Sequence, residues 1–105
     1  MKRVKVGILS APEISVTFDG SYGRENARFG IDADGRLLLD GHAVEKAEFR
    51  AATATDSFTV RDVTIGVDFH WQRLEDQTFR GDCIVLLNEQ GMPTLINEID
   101  IEEYL

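Results

Sequence analysis

Ile14-Ser15-Val16-Thr17-Phe18-Asp19-Gly20 decides the fold of this chain. Its apolar and hydroxyl residues alternate, which puts Ile14, Val16 and Phe18 on one side of an extended segment and Ser15 and Thr17 on the other. Asp-Gly then tolerates the positive backbone angles of a tight hairpin turn, so the segment reads as a strand that ends in a hairpin. The pair recurs at Asp34-Gly35 and Asp40-Gly41. Between those two lies Arg36-Leu37-Leu38-Leu39, long enough for a strand and too short for a helix.

The pattern continues in both directions. Phe58-Thr59-Val60 reads as another strand, and in Val4-Lys5-Val6-Gly7-Ile8-Leu9 the apolar residues alternate with Lys5 and Gly7. Val63, Ile65, Val67, Phe69 and Trp71 then form a long alternation with Thr64, Asp68 and His70 on its opposite face. Asn88-Glu89-Gln90-Gly91 separates the apolar run Cys83-Ile84-Val85-Leu86-Leu87 from Thr94-Leu95-Ile96. Pro12 and Pro93 stand where strands begin or end. Only Ala43 to Thr55 is ambiguous: Glu45 to Ala52 contains helix formers, but Val44 and Phe49 make no helical stripe, so a strand from Ala43 to Arg50 is expected. The fold class implied is mainly β, a small antiparallel barrel or sandwich of about seven or eight strands.

The chain closes differently. Asp100 followed by Glu103 has the form of a capping box, in which Asp100 accepts from the first-turn N–H groups and Glu103 reaches back to the cap. Ile101 and Leu105 share a face one turn apart, and Glu102 and Glu103 suit the positive end of a helix dipole. An isolated helix needs about 12 to 15 residues to be even marginal in water. The helix start at the C-terminus therefore reads as truncated, and residues 1–105 as a single β-rich module that forms part of something longer.

Composition limits the possible functions. A chain of 105 residues makes one domain at most. Its net charge of −8, with eleven scattered basic residues, argues against nucleic acid as a partner, because phosphate binding needs clustered Lys and Arg. No apolar run approaches the roughly 20 residues of a membrane span. The charged Met1-Lys2-Arg3 precedes an apolar stretch too short for a secretion signal.

Metal and nucleophile chemistry find little support. One cysteine, Cys83, excludes an internal disulfide and lies in an apolar run where a small hydrophobe is expected. His42 follows a turn glycine and reads as surface. Two histidines and one cysteine, far apart, make no zinc pattern. Asp32 and Asp34 before Gly35 lack the further oxygen ligands of a calcium loop. No metal or cofactor is expected.

Phe79-Arg80-Gly81 leading into Ile84-Val85-Leu86-Leu87, followed after a glycine-containing turn by Ile96-Asn97-Glu98-Ile99-Asp100-Ile101-Glu102-Glu103-Tyr104-Leu105, resembles the core motif of the stage II sporulation protein D / amidase enhancer family. Thr64 to Arg73 resembles a segment preceding that motif in a Bacteroides-like branch, and Val4 to Leu9 resembles the family's first strand. Residues Tyr22 to Thr55 add little to the likeness. The resemblance implies a parent protein of the cell envelope that acts on peptidoglycan glycan strands, as a lytic transglycosylase or as an enhancer of a cell-wall amidase. It also implies a catalytic glutamate in a Ser-Glu-Met-like context beyond Leu105, so that this chain by itself holds the scaffold and no catalytic residue.

Two groups of residues remain as candidates. Glu98, Asp100, Glu102 and Glu103 are the carboxylates nearest the motif, but glycoside cleavage needs a protonated carboxyl beside the leaving oxygen. Capping explains Asp100 and Glu103, with Glu98 orienting the backbone and Tyr104 completing the motif; none is expected to be the acid. His70, Trp71, Gln72 and Arg73 form the weaker candidate, a sugar groove in which an aromatic ring stacks on the saccharide while polar side chains read its hydroxyls. The alternative function is accordingly a non-catalytic carbohydrate-binding or protein-docking β module.

Overall fold

The structure, a computed structural model, describes residues 3–65 and 73–100. Ten strands run in chain order: β1 (Arg3–Ser10), β2 (Ile14–Asp19), β3 (Asn26–Ile31), β4 (Leu37–Leu39), β5 (His42–Ala43), β6 (Lys46–Phe49), β7 (Ser57–Ile65), β8 (Arg73–Arg80), β9 (Asp82–Leu87) and β10 (Pro93–Asp100). They form two antiparallel sheets, one of four strands in the order β1-β10-β9-β6 and one of six in the order β5-β4-β3-β2-β7-β8. The mainly β fold expected from the alternation is therefore an open sandwich, not a closed barrel.

The alternation determines which face of each strand is buried. Ile14, Val16 and Phe18 turn inward from β2, Ala27 and Phe29 from β3, and Phe58 and Val60 from β7. Cys83, Val85 and Leu95 meet them from the four-stranded sheet. Phe18 anchors an aromatic cluster, with ring centroids 4.8 Å from Phe49 and 5.0 Å from Tyr22. Such tilted contacts add stabilisation beyond the area they bury.

Several expectations are corrected by this arrangement. The Ala43 to Arg50 strand is broken at Val44-Glu45, where the chain leaves the six-stranded sheet after β5 and joins the four-stranded sheet as β6. The separate segments expected at Phe58–Val60 and from Val63 onward are one strand, β7, whose pairing with β8 shifts register between Val60 and Val63. Strands β3 and β8 carry no apolar run long enough to announce them. These differences raise the strand number to ten among the described residues.

Asp40-Gly41 is the two-residue hairpin its sequence predicts. Leu39 pairs with His42, and both turn residues have positive φ, 50° and 86°, as a primed turn requires. Asp19-Gly20 is not. β2 and β3 do pair, but through a six-residue connection, residues 20–25, that returns to the strand when Phe18 N–H donates to Glu25 O. The longer loop allows Tyr22 to drop into the core, where only 8% of it stays exposed. Burying the ring outweighs the local preference for a tight turn.

The chain also changes sheet at Gly81, between β8 and β9. Its φ of +91° is one that L side chains rarely adopt, and a Cβ there would lie 2.7 Å from Glu98 O. Three consecutive carbonyls at this corner are each bonded by a side chain. Asn97 Nδ2 donates to Arg80 O at 2.7 Å and to Asp82 O at 3.1 Å, and Tyr22 Oη donates to Gly81 O at 2.6 Å. Buried carbonyls with no partner are costly, so a polar Asn97 on an otherwise apolar inward face of β10 is accounted for.

Candidate functional site

β10 carries the two motif carboxylates that fall among the described residues. Glu98 stands opposite Lys5 of β1 on one side and Asp82 of β9 on the other. Cross-strand neighbours on one face lie close enough to interact, which gathers these charges in a row on the outside of the four-stranded sheet. Arg3 from β1 places Nη2 2.8 Å from Asp82 Oδ2 and Nε 3.2 Å from Glu98 Oε2. Arg50, just after β6, places Nη1 2.7 Å from the same Asp82 oxygen and 3.4 Å from Glu98 Oε2, and its other nitrogen bonds Glu48. Lys46 Nζ reaches Glu48 at 2.7 Å. The second oxygen of Asp82 accepts from Ala51 N–H at 2.8 Å.

This cluster covers Asp82, whose side chain is only 6% exposed although it sits on an outward face. The bond to Asp82 raises the Arg50 pKa further above its ordinary value, against a smaller effect of burial and with help from Glu48. Hydrogen bonding by Lys46 holds the Glu48 carboxyl below the usual range, aided by the charge of Arg50. Glu98 is thus a tie between β1 and the end of β6.

Asp100 is the last residue of β10, opposite Arg3. Among the described residues there is no helix, and the helical turn expected over 101–105, with Glu103 and Tyr104, lies outside them. His70, Trp71 and Gln72 also lie outside the described residues. Arg73 is the first residue of β8, its backbone opposite Ile65. The sugar groove expected from these four residues therefore falls almost wholly outside the described residues.

Other expectations can be placed. Cys83 is fully buried on the inner face of β9, and burial pushes its thiol up to about 12, which suits a core residue and not a nucleophile. His42 is exposed at the edge strand β5. Asp32 uses its carboxylate locally: Oδ1 accepts from the N–H groups of Asp34 and Arg36, and Oδ2 from Arg36 Nε. The Arg36 N–H chiefly lowers its pKa.

Sequence reasoning did not single out Asp56, which is 4% exposed. Burial opposes its ionisation, yet the N–H groups of Ala52 and Thr53, the Thr53 hydroxyl and the Ser21 N–H together leave its pKa lowered. Asp56 joins the loop before β7 to the loop after β2. The Ala-Thr-rich segment 51–55 gives a weak sequence signal, because an acceptor for its N–H groups is needed but not specified.

A different surface has the form of a binding site. On the outer face of the six-stranded sheet, Asn26, Thr17, Thr59 and Thr78 stand side by side across β3, β2, β7 and β8. The Thr59 and Thr78 hydroxyls bond each other at 2.8 Å, and Arg61 Nε donates to Thr17 Oγ1 at 3.3 Å. A depression of about 310 Å³ opens here among Ser15, Thr17, Asn26, Arg28 and Arg61. A second, of about 970 Å³, is lined by Gly30, Ile31, Leu38 and Asp40 and shares Asn26 and Arg28 with the first. No signal beyond ordinary strand alternation marked these residues in the sequence.

No protein-family model, curated protein or solved structure matches this chain.

Proposed function

We propose that this chain is a scaffold module of a peptidoglycan-processing protein of the lytic transglycosylase or amidase enhancer type, and that it has no turnover of its own. The reading rests on the motif resemblance of the segment ending in Glu-Glu-Tyr-Leu, and one structural observation supports it. Glu98, one of the two motif carboxylates on β10, directs its oxygens at Arg3, Arg50 and Lys5. A carboxyl engaged in ties between strands is poorly placed to protonate a glycosidic oxygen, whereas the same ties hold the end of β10 in a fixed direction. In a longer chain the module would then present the segment C-terminal to β10 to its glycan substrate or to a partner amidase.

The test is direct. Purified glycan strands are incubated with the 105-residue chain, and the products are analysed by mass spectrometry for anhydro-sugar ends. None above background is expected, and sustained release would overturn the scaffold reading. The second reading, a carbohydrate-binding module, is favoured by the paired depressions on the six-stranded sheet.

A further inference from the structure

The two depressions on the outer face of the six-stranded sheet meet at Asn26 and Arg28, which line both. They form one trough with chemically different ends. At one end are the hydroxyls of Ser15 and Thr17 and the guanidinium of Arg61. At the other, Leu38, paired with Gly30 on the outward face, supplies apolar surface. Gly30 lies between Arg28 and Ile31. Its lack of a side chain opens the trough floor: a Cβ there would meet only Pro12 O, at 3.9 Å, and its φ is not one that demands glycine.

The charges in the trough are unequally engaged. Asp40 is occupied by Arg24 Nη1 at 2.9 Å and by Arg28 N–H at 2.9 Å. Arg61 has Thr17 and a long ion pair to Asp76 at 3.8 Å. The Arg28 guanidinium enters no ion pair among the described residues, in a chain whose net charge is −8. A guanidinium left unpaired beside hydroxyl and carboxamide groups is matched by a carboxylate, which it can take in bidentate fashion. Ser15, Thr17 and Asn26 both donate and accept, as saccharide hydroxyls and amides require. Exposed aliphatic surface suits the apolar face of a sugar ring.

The geometry points to this trough as a subsite for a carboxylate-bearing glycan, with Arg28 on the carboxylate, Ser15, Thr17 and Asn26 on hydroxyl or amide groups, and Leu38 against the ring face. The inference rests on the wall-processing reading for the source of the ligand: in peptidoglycan the carboxylates are those of peptides hanging from the strand. Glu13, beside Pro12, lines the same depression as Arg28 and Gly30 and offers a hydroxyl acceptor there.

Calorimetric titration of the 105-residue chain with a soluble disaccharide-peptide, with a neutral N-acetylglucosamine tetramer and with a galacturonate tetramer tests both parts. Arg28→Gln and Gly30→Leu are compared with the parent chain, the first removing the charge and the second filling the floor. Binding of the disaccharide-peptide that weakens about tenfold in each variant, with weaker binding of the neutral tetramer, is the expected result. Arg28-dependent binding of galacturonate alone upholds the trough and removes peptidoglycan as its source. Disaccharide-peptide binding unchanged in both variants overturns the trough and leaves the wall reading standing. Failure of all three probes to bind the parent chain also overturns it. Melting curves of both variants, expected to match the parent because neither position touches the core, ensure that lost binding reports the trough.

Discussion

Tyr22 donates its phenolic hydrogen to the carbonyl of Gly81 across 2.6 Å, joining the loop after β2 to the corner at which the chain passes from one sheet to the other. Burial, with smaller effects of Asp56, Cys83 and Asp82, raises the phenol's pKa well above its usual value, so it remains a donor throughout the working pH range. Tyr22→Phe keeps the ring against Phe18 and Phe58 and removes only the donor. A loss of about 1 kcal/mol is expected, read as a lower urea midpoint with an unchanged slope. An unchanged midpoint would mean that Gly81 O finds water as readily as the phenol.

Gly81→Ala tests the corner itself. The added Cβ would stand 2.7 Å from Glu98 O on a backbone with φ +91°, so strain and contact both act against it. Destabilisation of about 2 kcal/mol is expected. Gly91→Ala, in the β9–β10 turn with φ +75° and open space around its Cβ, is the matched control for backbone strain alone and should cost about half as much.

The charge row on the four-stranded sheet yields an asymmetric pair. Asp82→Ala uncouples two guanidiniums and leaves Ala51 N–H without its acceptor, with an expected loss of about 2 kcal/mol. Glu98→Gln, whose cationic partners are 41–67% exposed, should lose less than about 1 kcal/mol. Equal losses in the two variants would contradict the central position of Asp82.

Acid sensitivity is expected from Asp56. Its folded pKa is lowered, so protons bind more readily to the unfolded chain, and its contribution to stability is complete above the ordinary carboxylate pKa of about 3.9. The contribution is lost as pH falls through the depressed folded value. Urea unfolding at pH 7 and pH 3 should therefore show a smaller drop for Asp56→Asn than for the parent chain. Equal drops would assign the acid sensitivity to other carboxylates, with Glu48 and Asp32, both also lowered, the first to test.

Cys83 provides a probe of opening. With its thiol fully buried and its pKa near 12, it should resist a disulfide reagent at pH 8 in the native chain and react promptly in denaturant. Fast native labelling would contradict its place in the core.

Much of this sandwich can be read from Ile14 to Gly20, from the run Cys83 to Leu87 and from the Asp40-Gly41 turn, because alternation and turn chemistry act locally. What escaped reading depends on distant groups. β3 and β8 are strands by virtue of their neighbours: Asn26-Ala27-Arg28 pairs with β2, and the charged Glu75-Asp76-Gln77 of β8 pairs with β7 at a sheet edge, where a polar strand is tolerated. The break at Val44-Glu45 serves a passage between sheets that periodicity does not encode. Asp82 is buried by arginines and a loop far away in sequence, and Asp56 by its own Ala52-Thr53 loop together with the distant Ser21, so neither burial follows from periodicity. Trough residues such as Arg28 and Arg61 come together only once β2 lies between their strands.

The inward side of β10 reads Pro93, Leu95, Asn97, Ile99, and a strand that repeats every two residues has a particular vulnerability. Sliding β10 by one residue against β9 would turn Glu98 into the core and is forbidden by charge. Sliding by two would return apolar groups to most inward positions, and packing alone would resist it weakly. Asn97 removes that ambiguity, because its amide meets Arg80 O and Asp82 O in one alignment only. A single carboxamide thus serves as an index mark, selecting among alignments that the hydrophobic pattern leaves nearly equivalent.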